Sequence, residues 1–169
     1  MVAEVKADGT RNQFYENMRE VSPGDVVFSF CDTRIKAIGI VSGGAQTGPK
    51  PDFGAAGSNW SLEGWFVPVD YCSVNNQIRP KDHIAILRPF LPDKYSPLQE
   101  SGDGLQSVYL AELPQTLADA LMGLIGQAYW DIDRATNAKT LFATSGIPGS
   151  VGSATCALWQ ELGPRLPSR

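Results

Sequence analysis

The chain holds one histidine, His83, in RPKDHI, and three widely spaced cysteines, Cys31, Cys72 and Cys156. Nucleophilic catalysis through a His base, or a zinc site of several His or Cys, needs more of these groups at closer spacing. His83, beside Ile84 and Ile86, reads as a structural residue at the start of a segment. A nuclease of the HNH type needs at least two placed histidines, so this chain alone is not one. The carboxylate pairs Asp25/Asp32 and Glu100/Asp103 have spacings that force no shared site. Gly102-Asp103-Gly104 lacks the GxxxxGK[ST] and GxGxxG patterns that cradle phosphates. The expectation is therefore no enzyme, no cofactor and no metal. The aromatic residues offer more. Trp60 and Trp65 flank a loop, and Tyr95 and Tyr109 bracket the Gly102-Asp103-Gly104 turn. Aromatic side chains beside loops are what stacking on an unpaired or flipped base requires. Phe28, Trp65 and Phe66 are expected in the core, whereas Trp60, after Gly57-Ser58-Asn59, is the one best placed to wall a pocket.

These groups need a scaffold, and the stretch from Ser22 to Val41 supplies it. Pro23-Gly24-Asp25 is a turn signal, and VVFSF after it is rich in β-branched and aromatic residues. Cys31-Asp32-Thr33-Arg34 then breaks the pattern before a second apolar run, Ile35 to Val41. Two antiparallel strands with a polar turn (Asp32, Thr33, Arg34, Lys36) are predicted, a stiff support of the kind that carries binding groups. Asn12 is placed to cap a helix through Glu20, with Phe14, Met18 and Val21 at helical spacing. Residues 43–59, dense in Gly and Pro, read as one long loop, and GWFVPVDY as a strand with Pro68 at an edge or bulge. Gln106 to Leu110 reads as a short strand and Thr116 to Ala128 as an amphipathic helix. Residues 131–169, small, polar and punctuated by Gly and Pro, read as a tail or linker with a weak helix over 154–162.

At 169 residues the chain is one domain long, with a net charge of −4 and a pI near 4.9. That excludes a protein that coats nucleic acid by charge alone, and leaves room for one that grips a single base. Unpaired, odd-numbered cysteines and the lack of an apolar h-region predict reduced thiols in a cytoplasmic protein without a membrane span.

Together, RNQFYENMREVSPGDVVFSF, DTRIKAIGIV, NWSLEGWFVPVDY with IRPKDHI, and LPDKYSPLQESGDGLQSVYLAEL resemble the EVE domain, across roughly residues 11–127. This PUA-like module is related in fold to YTH domains. The order of the blocks resembles the N-terminal module of bacterial HNH-endonuclease-like, modification-dependent restriction proteins. The resemblance implies an α+β fold, an open PUA-like β-barrel with flanking helices over 1–130, and no catalysis of its own. It implies binding of a modified base, flipped into an aromatic pocket, in DNA more than in RNA. Trp60 would wall that pocket, Ser29, Asp32 and Thr33 would edge it, and the loop of Asp103 would close over the base. Relatives begin with a further strand and a WSP-type segment, neither of which is present here. Without that strand a barrel edge would be unpaired and would invite a homo-oligomer. Two alternatives stand beside this reading: the recognition part of an HNH-type restriction system that needs a separate nuclease subunit, and a decayed or protein-interaction domain without a nucleic-acid role.

Overall fold

The computed structural model describes residues 13–49, 63–105, 108, 110–126, 138–144 and 156–161; for 15, 63, 64 and 156–161 only the backbone is described. Among the described residues, seven strands form one mixed, curled sheet that stays open, and helices cover it, an α+β architecture. The predicted hairpin is its centre. β1 (Val26–Cys31) pairs with β2 (Arg34–Val41), and only Asp32 and Thr33 lie between the paired ends. Along β1 the side chains alternate. Val26, Phe28 and Phe30 enter a front cluster, while Val27 enters a back cluster with Val41, Trp65, Val67, Val69 and Leu141.

One irregularity keeps β2 in phase. The register shifts beside Ser29/Phe30, so that Phe30 faces Ile35 and Lys36 is left over as the extra residue of a bulge. Ile35, three positions from Ile38, thereby returns to the front face with it. Without the bulge, Lys36 would occupy the buried front position.

β4 (Glu63–Ser73) runs along β2, with Val69 opposite Val41, and along β3 (Gln46–Pro49), with Trp65 opposite Thr47. Within the stretch expected as one long loop, therefore, four residues form a strand. β7 (Cys156–Glu161) follows Gly64–Val69 of β4 without a break, so β2 and β3 must share the strand's other edge. Pro68 sits inside this strand for a specific reason. Its carbonyl accepts from Ser42 N at 3.0 Å, so its missing N–H falls at the same edge, where the ladder lapses between β2 and β3.

The largest departure from expectation is at the C-terminal end. The composition of residues 131–169 predicts a tail or linker with a weak helix, yet β6 (Thr140–Thr144) lies inside the sheet. It is parallel to β1, Val26 facing Thr140, and antiparallel to β5 (Leu110–Glu112). The helix expected over 154–162 is replaced by the strand β7. Asp25 fixes the parallel start: its buried carboxylate accepts from Lys139 N and Ser22 N, each at 2.9 Å. β1's second edge is thus filled by β6, and the edge expected to invite self-association is not found there.

α1 (Gln13–Glu20) presents Met18 to the back cluster, and Asn17 donates to Leu110 O at 2.9 Å, covering the edge of β5. Lys139 draws Glu20 and Glu112 together at 3.7 and 3.3 Å. On the front, a 3-10 turn (Pro80–His83) leads into α2 (Ile84–Leu87), and α3 (Gln115–Ile125) buries Leu117, Leu121 and Ile125. α3 stops three residues before the expected end because Gly126 adopts φ 80° and its N–H caps Met122 O. Among the described residues no helix is long and apolar enough to cross a membrane.

Candidate functional site

The turn that joins β1 to β2 is tight and unusual in its chemistry. Asp32 and Thr33 have φ of 49° and 66°, the positive values that a two-residue hairpin of type I′ demands. Glycine and asparagine meet that demand cheaply. A β-branched threonine does not, at a cost of about 1–2 kcal/mol. The strands hold the strained pair in place because Phe28 and Ile35 beneath it are fully buried. Thr33→Gly should therefore raise stability by roughly 0.5–1 kcal/mol, the strain relieved less the added entropy of the unfolded glycine. A chemical denaturation midpoint lower than that of the parent would contradict the strain.

Both side chains of the turn face solvent, and Asp32 is tied to Lys36 by a charged hydrogen bond. That bond, reinforced by the charge of Lys36, holds the Asp32 carboxyl below the usual aspartate range. The same bond pushes the Lys36 ammonium up. The pair exists because the bulge frees Lys36 from strand alternation. Val74 N donates to Lys36 O at 3.0 Å, and Ile35 N to Ile78 O at 2.9 Å, so the connector after β4 braces the turn.

The same connector carries the second half of the site. Gly102, with φ 85°, lies so close to Lys81 that a Cβ there would stand 2.6 Å from the lysine Cα. Only glycine satisfies both conditions. Asp103 next to it accepts from Lys81 Nζ at 2.9 Å and from Ser101 Oγ at 2.9 Å, and these bonds hold its carboxyl low. Gln99 N donates to Asp103 O at 2.8 Å, and Leu98 bridges Gly104. Gly104 in turn covers the Phe30 ring, leaving 2.5 Å for a Cβ. The loop is thus latched to the front of the sheet, over the end of β1.

Ser29 lies elsewhere. It is half-buried on the opposite side of β1 from Phe28 and Phe30, between Ala37 of β2 and Ala143 of β6. Ser29 thus lies on the face of β1 opposite to the one that Phe30 shares with the Asp103 loop. Trp60 lies outside the described residues. Of the aromatics expected in the core, Phe28 and Trp65 are buried, the latter beneath the Arg19 guanidinium at 5.6 Å, and Phe66 is half-buried. His83 stands at the junction of the 3-10 turn and α2.

Tyr95, one of the aromatics that bracket the Gly102-Asp103-Gly104 turn, is 56% exposed and held at φ 57°, its ring edge-on to Phe14 at 6.0 Å. Among the described residues no three His, Cys, Asp or Glu side chains gather as a metal ion would need. Compared with known proteins, the chain matches no protein-family model and no curated protein.

Proposed function

We propose that this chain is a base-recognition module without catalytic activity, an open PUA-like barrel of the EVE type that holds a flipped, modified nucleobase, in DNA rather than RNA. The observation that carries this reading is the Asp32-Thr33 turn. Two non-glycine residues are kept at positive φ on a buried two-stranded support, with a carboxylate and a hydroxyl turned outward. Strain retained at such a point is usual where groups must be presented in a fixed geometry. The latched Asp103 loop on the same face gives a second polar border. Trp60 supplies the stacking wall in this reading, and Asp32 and Thr33 supply the hydrogen bonds that read the base edge. Flipping costs a few kcal/mol, so the wall must return most of it.

The test is a titration at fixed low salt with short DNA and RNA duplexes bearing cytosine, 5-methylcytosine, 5-hydroxymethylcytosine or N6-methyladenine, followed by tryptophan fluorescence. One modified DNA base should be preferred. Because stacking on an aromatic contributes about 1–3 kcal/mol, Trp60→Ala should weaken that complex roughly 5- to 150-fold. A preference that survives Trp60→Ala unchanged would remove the pocket assignment. Equal, negligible binding to every duplex would remove the reading itself.

A further inference from the structure

We infer that Arg34 and Arg88 are phosphate contacts, the two ends of a cationic track that seats the nucleic-acid backbone beside the proposed base site. The inference rests on the base-recognition reading and adds the backbone surface to it. Five cations lie on the connector that braces the turn or on segments beside it. Lys36 and Arg34 open β2, Arg79 and Lys81 lie on the connector, and Arg88 begins the 3-10 turn after α2. Three of them are already engaged: Lys36 with Asp32, Arg79 with Asp82 at 3.8 Å, and Lys81 with Asp103 at 2.9 Å.

Arg34 and Arg88 differ from these three. Each is exposed, and each is pinned by a backbone carbonyl rather than a carboxylate: Arg34 Nη1 donates to Gln77 O at 2.9 Å, Arg88 Nη2 to Glu100 O at 3.1 Å. Among the described residues neither forms an ion pair. A carbonyl fixes a guanidinium without neutralising it, and a single bond leaves most of the five-donor fork open. A planar, oriented and uncompensated fork is the group that suits bidentate phosphate recognition. The two carbonyls belong to segments that touch, since the connector packs on Gly102 and Glu100 lies two residues before it. In a chain of net charge −4, diffuse attraction cannot hold a polyanion, so contact has to be local.

The experiment measures the salt dependence of binding to the duplex preferred in the titration and to its unmodified counterpart, over roughly 50 to 200 mM salt. The full chain is compared with Arg34→Gln/Arg88→Gln and, as a control on the back face, with Arg19→Gln. Each duplex phosphate contact contributes about 0.9 to the slope of log K against log salt, so the double variant should lose nearly two units. It should weaken both duplexes equally, keep any base preference, and melt with the parent protein. Arg19→Gln should leave the slope unchanged. The inference falls if the double variant keeps the parent slope, if Arg19→Gln lowers it as much, or if polyglutamate binds through these arginines and no duplex does. A lowered slope without any base preference would keep the track and remove the base pocket; a lost track with the preference intact would do the reverse.

Discussion

Ending the chain after residue 130 should abolish cooperative folding, seen as loss of the near-ultraviolet circular dichroism and of a sharp thermal transition. That cut removes β6 from between β1 and β5, and β7 from β4. Leu141, Phe142 and Ala143 are almost completely buried, and fully burying a Leu or Phe contributes about 1.5–3 kcal/mol each. Among the described residues, β5 would lose its only strand partner and β1 one of its two, leaving unpaired backbone groups at a dry interface. A domain with a net stability of roughly 5–15 kcal/mol does not withstand that sum. A truncated protein that melts sharply near the parent temperature would show that β6 is dispensable, which this sheet does not allow.

Phe142→Ala should destabilise the protein by about 3–5 kcal/mol, the range for emptying a fully buried aromatic site. For a chain of this length that lowers the melting temperature by roughly 6–20 °C. Phe142 is fully buried in the front cluster, with its ring 5.3 Å from that of Phe30. Phe30 in turn supports Gly104 and the latched loop. The cavity would therefore be felt at Asp103 before it is felt on the back face. Hydrogen exchange should show Gln99 and Gly102 losing protection while Val41 and Val69 keep theirs. A loss below about 1 kcal/mol would mean that the ring is not the pillar of the front face.

Local pattern was enough for the centre of the fold. The turn at Pro23-Gly24, the alternation of VVFSF and the polar break at 31–34 each specify a hairpin, and β1 and β2 form there. The helices α1 and α3 were equally plain, because Met18, Leu117 and Leu121 repeat at helical spacing. What local pattern could not show was pairing at long range. Thr140–Thr144 is five residues long and buried on both faces, so it has no alternation to set it apart from a linker. It is placed by Asp25 and by the open edge of β1, neither of which is near it in the chain. The candidate site divides in the same way. Asp32 and Thr33 were legible as a turn, but their positive φ was not, since threonine argues against it. In the sequence Arg34 is one polar residue of the turn, and Arg88 carries no signal. Only the carbonyls of Gln77 and Glu100 make them different from Arg79.

The parallel pairing of β1 with β6 also sets the order in which the protein can assemble. Asp25 and Lys139 meet across 114 positions, and closing so long a loop precedes any reward from the contact. During synthesis at about 5–20 residues per second, the hairpin is complete many seconds before Thr144 leaves the ribosome. Through that interval β1 has an unfilled edge of Val26, Val27 and Phe28, a surface that would pair with any extended strand nearby. The strand that seals β1 is made only after β2 to β5, and the newborn chain is most vulnerable just before it arrives.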